Sequence, residues 1–341
     1  METTKRILAG ALFALCMIVG PRAHAECLTA PPQPQPTSVS DTGTPPQEAT
    51  GDTRSDVLGR VVAPVMINGQ GPFRFIVDTG ANRSVLSGEV AARLGLVADG
   101  VGEVHSIEGV TAAPLAQVNE ISYGRVPLSS GQMPILQSSR MLAGEAGILG
   151  VDGMQGRRLR LDFDHHCIEI LPSRNAHALH GWVTIQGQLR FGHLVTIPAR
   201  IRGVTVNVLV DTGSNVSFGN TALRAALTPV AASRDSITSG RAFTASRPIV
   251  LDQIVVLPQM MLGDELMVSH ITAFIGDFHV FSLWGFEHEP TLLIGMDVLG
   301  QTREVAIDYA RATVHFRLPP RLSQELDNQR RAVSSGNLMQ H

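Results

Sequence analysis

Between about Val57 and Pro319 the chain runs in short stretches rich in Val, Ile and Leu, separated by Gly, Pro and Asn. Apolar runs of that length bounded by turn residues predict strands, so this region is expected to be all-β. Two stretches turn toward helical chemistry. Ser87 can cap a short helix over Gly88 to Leu94, ended by Gly95, and Asn220 can cap another over Thr221 to Leu227. Outside this region the pattern disappears. Residues 26–56 are rich in Pro, Gln, Thr and Ser and too poor in apolar surface to order themselves, which predicts a flexible spacer; residues 320–341 form a polar tail. At the N-terminus, Lys5-Arg6 precedes an apolar stretch from Ile7 to Val19, broken by Gly20-Pro21 and followed by Ala23-His24-Ala25. That order is the pattern of an export signal over residues 1–25, cut after Ala25 to leave Glu26 first. Thirteen apolar residues are too few to cross ~30 Å of hydrocarbon as a helix. A periplasmic or secreted protein with no stable membrane insertion is therefore expected, with an uncleaved anchor as the alternative.

Within the β region the sequence repeats. Asp78 to Leu94 aligns without a gap on Asp211 to Leu227, at an offset of 133, with seven of seventeen positions identical. Each copy is preceded by a Pro, a short strand and a Gly turn (Pro64 to Gly69, Pro198 to Gly203). An apolar strand then runs into the Asp, through Phe75-Ile76-Val77 and Leu209-Val210. Downstream, Ile148-Leu149-Gly150-Val151-Asp152 matches Leu293-Ile294-Gly295-Met296-Asp297, and each unit closes with a strand pair starting at Leu161 or Ile307 and ending at Pro172 or Pro319. The Asp-to-Gly spacing is 72 in the first unit and 84 in the second, so the second carries about twelve extra residues. Duplication of one β domain accounts for this, with a first lobe over 57–172, a linker over 173–181 and a second lobe over 182–319.

Composition narrows the chemistry. Of 341 residues, 44% are apolar and 17% charged, with a net charge of −3, which fits a globular chain and gives no electrostatic footprint for nucleic acid. The single lysine is Lys5, inside the export signal, so Schiff-base chemistry and a Walker-type lysine drop out of the mature chain. No His-Glu-x-x-His or Gly-x-Ser-x-Gly stretch occurs. Cys27 and Cys167 remain after signal removal; they pair in an oxidising compartment or stay as free thiols, and the sequence leaves both open.

The chemistry-bearing feature is a carboxylate at the end of an apolar strand, followed by Thr and Gly, once per repeat. Desolvation penalises an ionised Asp there, so it needs donors or a function. Two such residues meeting at a pseudo-twofold axis would share a proton, one activating a water while the other polarises a carbonyl; the aspartic proteases are the standard worked case of this arrangement. At Ile76-Val77-Asp78-Thr79-Gly80-Ala81 and Leu209-Val210-Asp211-Thr212-Gly213-Ser214, each with its later apolar-apolar-Gly partner, the sequence resembles the retropepsin-like aspartyl proteases, in their exported bacterial form. The resemblance spans about 57 to 319. It implies two tandem β-barrel lobes in a pseudo-twofold arrangement, a monomer with an internal pseudo-dimer, a polypeptide substrate, and neither metal nor cofactor. It also implies a catalytic pair, Asp78 and Asp211, with Thr79 and Thr212 bracing the loops and Gly80 and Gly213 facing the substrate main chain.

Three features depart from the family pattern. Asn82 and Asn215 stand where retroviral members carry Asp, at positions expected to contact substrate. The two tyrosines, Tyr123 and Tyr309, lie outside the expected flaps. Ala81 in one loop faces Ser214 in the other, and the Ser214 hydroxyl is expected to favour the ionised form of Asp211. Flaps are expected at Val104 to Val118, turning at Glu108-Gly109, and at Ile237 to Val250, turning near Ser239-Gly240. Gly150 and Gly295 read as close-packing positions beneath the loops, and Asp152 and Asp297 as helix caps or ion-pair partners. His165-His166-Cys167, on an expected alternating strand, and His177 with His180 read as surface histidines rather than a metal site. A third Asp-Thr-Gly, Asp41 to Gly43, has no apolar strand before it and reads as chance. Against the enzyme reading stands a silent lobe pair that only binds extended peptides or an envelope partner, for which neither carboxylate is needed. A dimer with one competent Asp per chain is a further alternative.

Overall fold

The computed structural model describes residues 56–324 except 108, 125, 138–141, 174–180, 192–193, 228–239, 244–247 and 252. The export signal, most of the spacer, the third Asp-Thr-Gly, His177 and His180 lie outside these residues. Among the described residues no helix is long and apolar enough to cross a membrane.

The first unit is a seven-stranded sheet in the order Val62–Ile67, Gln70–Val77, Gly147–Leu149, Val85–Ser87, Val126–Leu136, Val110–Tyr123, Ala98–His105. It closes on itself, because Val62–Ile67 also pairs with Val110–Tyr123 through Met66 and Ser122. The second unit repeats the central motif in a nine-stranded sheet that stays open. There Val204–Val210 lies parallel to Thr291–Ile294, which lies antiparallel to Ser217–Gly219. The all-β, two-lobed expectation therefore holds. Both helices also form where their caps predict: Ser87 accepts from the Val90 amide ahead of Gly88–Arg93, and Asn220 accepts from the Leu223 amide ahead of Thr221–Leu227.

The closing strand pairs do something the repeat alone does not reveal. Arg157–Asp162 with Cys167–Pro172, and Glu304–Asp308 with Thr313–Arg317, merge with Trp182–Gln186 into one antiparallel sheet that joins the lobes. Arg160 of the first hairpin reaches Glu304 of the second at 2.6 Å and Glu169 at 2.7 Å, while Arg158 reaches Asp308 at 3.0 Å. These carboxylates are almost fully buried, so the seam is held by ion pairs that water scarcely screens. His165 and His166 are not on the expected strand. They occupy the turn between the two strands of the first hairpin, where the carboxylate of Asp162 holds the His165 ring at 2.9 Å.

Candidate active site

Each Asp sits where a strand is forced to end. Gln70–Val77 runs beside Gly147–Leu149 with Val77 opposite Leu149, and the Asp78 amide donates to the Leu149 carbonyl at 3.0 Å. Val204–Val210 repeats this, with Val210 opposite Ile294 and the Asp211 amide on the Ile294 carbonyl at 3.0 Å. The chain then turns back, returning as Val85–Ser87 or Ser217–Gly219 on the far side of the same partner strand. Gly150 and Gly295 let the loops lie flat on that partner. A Cβ on Gly150 would fall 2.8 Å from the Ala81 carbonyl oxygen, and one on Gly295 2.8 Å from that of Ser214.

Among the described residues Asp152 and Asp297 have no ion-pair partner, and each is held by serine hydroxyls. Asp152 accepts from the Ser84 hydroxyl at 2.7 Å and the Ser129 hydroxyl at 2.7 Å; Asp297 accepts from the Ser217 hydroxyl at 2.9 Å. Ser84 and Ser217 in turn accept from the Gly150 and Gly295 amides. These serines set the curvature of the loops and escaped the sequence reading, although their shared position six residues after each Asp was a usable signal.

The two loops meet face to face. The Thr79 hydroxyl donates to the Val210 carbonyl at 2.6 Å and accepts from the Thr212 amide at 3.1 Å; the Thr212 hydroxyl donates to the Val77 carbonyl at 2.6 Å and accepts from the Thr79 amide at 3.2 Å. Four bonds between buried groups cross the lobe boundary with nearly equal geometry. Gly80 and Gly213 make room for the opposite carboxylate: a Cβ on Gly80 would lie 2.8 Å from Asp211 Cγ, and one on Gly213 2.2 Å from Asp78 Cγ. Any side chain there would push the pair apart.

Asp78 and Asp211 thus share one floor, half-buried and hydrogen-bonded to each other, and each accepts at 2.9 Å from the amide two residues on, Gly80 or Gly213. Burial raises the proton affinity of Asp78, against the pull of its bonds to Asp211 and Gly80 and of the Arg60 charge. Burial raises Asp211 much further, reinforced by the adjacent Asp78 charge. Such a pair gives up its two protons in separate steps and holds one over the range between them. The expectation that the Ser214 hydroxyl favours ionised Asp211 is not met: that hydroxyl donates to the Val216 carbonyl at 2.7 Å, and it is the Ser214 backbone amide that favours the charged form of Asp211.

Asn82 and Asn215 lie exposed beside the dyad in matching positions, and Ala81 and Ser214 form the loop walls. The segment expected as the first flap, Val104 to Val118, forms the end of a hairpin in which Ala98–His105 pairs with Val110–Tyr123. Gly109 is at its tip, with its carbonyl accepting from the Ser106 amide, whereas Glu108 lies outside the described residues. Val104 and Ala81 pack against the same cluster of Ile76, Val85, Leu136, Leu142 and Ile148, which sets the flap over the first loop. The tip reaches the other lobe: the Ile107 carbonyl accepts from the His279 amide at 3.0 Å, and His105 Nδ1 lies 2.9 Å from His279 Nε2 with the rings stacked. In the second unit Gly240–Phe243 pairs with Pro248–Leu251, so Gly240 lies on a strand opposite Leu251 instead of at a turn; Ile237 and Ser239 lie outside the described residues. Period-two patterning locates a hairpin but not its turn when both arms are short.

The description "Aspartyl protease" belongs to a family model that matches this chain twice, over residues 63–152 and 197–298. Each match contains one Asp loop and its apolar-apolar-Gly partner. No curated protein matches the chain significantly.

Proposed function

The chain belongs to the aspartyl protease family, and from that premise we propose that it is an aspartic endopeptidase in which Asp78 and Asp211 activate a water for attack on a peptide carbonyl. The observation that carries this reading is the carboxyl–carboxyl contact on a common floor, held by threonine bonds that a pair of turn caps would not need. One carboxylate takes a proton from water as the hydroxyl oxygen bonds to the carbonyl carbon. The protonated partner donates to the carbonyl oxygen, and collapse of the tetrahedral species transfers a proton to the departing amine. No covalent intermediate is required. Substrate would lie extended beneath the flap, its main chain facing Gly80, Gly213, Asn82, Asn215 and the flap tip at Gly109.

The proposal extends to location and assembly: export by residues 1–25, action on envelope or exported polypeptides, and a monomer containing both halves of its site. Peptide-library cleavage between about pH 3.5 and about pH 8, beside Asp78→Asn and Asp211→Asn, is the test. Loss of cleavage by about 10³-fold or more in each variant is expected. Cleavage surviving both substitutions overturns the assignment, and a wild type that binds library peptides without cutting them favours a silent binding protein. Gel filtration at the mass of one mature chain, beginning at Glu26, is expected in the same preparation.

A further inference from the structure

The two Asp loops repeat each other, but what stands behind them does not. Pro64 and Pro198 hold the same place in the two units, each paired with the residue four before its Asp, Arg74 and Asn207. Four residues before Pro64 stands Arg60; four before Pro198 stands Leu194. Leu194 is ordinary core. Arg60 is nearly as buried, at 4% exposure, and a guanidinium in that setting needs partners. Asp56 supplies two contacts, its Oδ2 lying 2.7 Å from Nε and 2.5 Å from one terminal nitrogen. The other terminal nitrogen donates across the lobe boundary to the Gly213 carbonyl at 3.5 Å. Gly213 touches both carboxyls, its Cα lying against Asp78 and its amide donating to Asp211 at 2.9 Å, so the bond to its carbonyl brings the one buried cation of this segment up to the floor. The guanidinium field accordingly favours charge on Asp78, while the groups acting most strongly on Asp211 include no cation.

Other titratable groups face the pair. Asp56 comes from the same segment as Arg60. Tyr309 comes from the turn that follows Glu304–Asp308 of the interlobe sheet, and burial together with the Asp78 charge keeps its phenol protonated. Asp152 stands behind the first loop and is engaged by Ser84 and Ser129. None of them offers Asp211 a positive charge.

We propose that Arg60 is the positioning residue that makes the dyad unequal, holding the negative charge on Asp78 and leaving the shared proton on Asp211. Asp78 is then the base toward water and Asp211 the donor toward the substrate carbonyl. The inference rests on the endopeptidase reading above and assigns the two roles within it. Asp56 fixes the guanidinium, its Oδ1 accepting from the Leu58 and Arg60 amides at 2.9 Å each, and masks part of its charge. That masking yields a test with opposite signs.

The experiment is the pH dependence of kcat/KM on one cleaved peptide, together with site-resolved carboxyl-carbon NMR titration of Asp78 and Asp211 in the same proteins. Arg60→Gln is expected to raise the acid limb by about 0.5–1 pH unit. Asp56→Asn keeps the amide-capping oxygen and unmasks the cation, so it is expected to lower the limb by a few tenths of a unit. Arg60→Lys is expected to stay close to wild type. A purely structural role would cost activity without moving the limb, or would move it alike in Arg60→Gln and Asp56→Asn; either result overturns the proposal. Should Arg60→Gln fail to fold with Asp56 stranded, the double variant Asp56→Asn/Arg60→Gln buries no charge, and its limb is expected above wild type. An unmoved limb there is equally fatal. If the wild type cleaves nothing, the protease reading fails by itself. The NMR titration then still decides the asymmetry, since Asp211 ionising before Asp78 would overturn it.

Discussion

The two lobes are nearly superimposable in chemistry at the floor of the cleft and differ at its edges. At the floor, Thr79 and Thr212 exchange equal bonds, Gly80 and Gly213 accommodate opposite carboxylates, and Ser84 with Asp152 answers Ser217 with Asp297. Away from the floor the first lobe closes into a barrel while the second stays open. The helix His279–Leu283 has no counterpart in the first unit, where the described residues form only a turn around Leu142. It accounts for part of the second unit's extra length, and it is where the first flap lands. Duplication preserved the contacts that need both copies at once, since a change in one half alone would break a reciprocal bond. Positions without a reciprocal partner, such as Arg60 and Leu194, were free to diverge. Unequal roles for two equivalent carboxylates can therefore come from their surroundings.

The comparison breaks most severely at the seam. Arg160 of the first unit is the bridge between Glu169, Glu304 and Asp162, all nearly buried. Its burial disfavours the cation, but bonds to Glu169 and Glu304 more than compensate, so it remains charged. Arg160→Ala strands the buried Glu169, while Glu304 keeps Arg317 and Asp162 keeps His165, and is expected to cost about 3 kcal/mol in denaturant unfolding. A cost under about 1 kcal/mol would mean that the Arg160 ion pairs contribute little to joining the lobes. The seam also has a pH signature. Burial raises Asp308, but Ser173 and Arg158 lower it more, leaving it below the ordinary carboxylate range. A carboxyl depressed in the folded state contributes stability above its unfolded pKa of about 4 and loses it as pH falls through the folded value. His315 adds to the acid loss: burial first, then Arg158, lowers its pKa to about 4, so the stability of its neutral form fades as pH drops from about 6.5 toward that value. Melting temperatures should fall across that whole window, and His315→Gln should flatten its upper part.

A smaller effect sharpens the comparison at the dyad. Both carboxyls have raised proton affinity, so the folded state is favoured while they are protonated and loses that advantage as pH rises through their folded pKa values. Asn in place of either removes the conflict at neutral pH. Asp211→Asn leaves Asp78 charged beside the Arg60 field, whereas after Asp78→Asn the groups acting most strongly on Asp211 include no cation. We expect Asp211→Asn to be the more stable variant at pH 7 by about 1 kcal/mol, or roughly 2–4 °C in melting temperature, with the gap closing toward pH 4. Equal melting temperatures at pH 7 would mean that the lobes are symmetric electrostatically as well as geometrically.

What the sequence disclosed follows the same division. Reciprocal contacts impose the same residue at the same offset, so Asp78 with Asp211, the threonines, the glycines and their Ile148 and Leu293 partner strands were legible from self-alignment. The all-β class was legible because short apolar runs between turn residues admit little else. Unpaired features were not. Arg60 is a single arginine next to a spacer, and only the burial of its guanidinium beside Asp56 reveals a role. The interlobe sheet was hidden because pairing Arg157–Asp162 with Glu304–Asp308 is a contact over nearly 150 positions that leaves no local trace. The Ser214 expectation failed for a local reason: a hydroxyl next to a tight turn has a nearer acceptor, the Val216 carbonyl, than the carboxylate three residues back.

The mildest intervention acts on a contact that joins the edges instead of the floor. His279 holds the first flap twice, through its amide to the Ile107 carbonyl and through its ring against His105, and only the ring is removed by His279→Ala. A single exposed side-chain hydrogen bond contributes about 0.5–1.5 kcal/mol, so the flap should open more often without detaching. Substrate held beneath a flap is then released sooner, which predicts KM higher by about three- to tenfold with kcat changed less than about twofold. His105→Ala removes the same bond from the other side and should match it, and the double variant should add little, since both changes delete one interaction. If the two single effects instead add in full, the imidazoles act independently, and the flap of the first lobe is not held by the extra helix of the second.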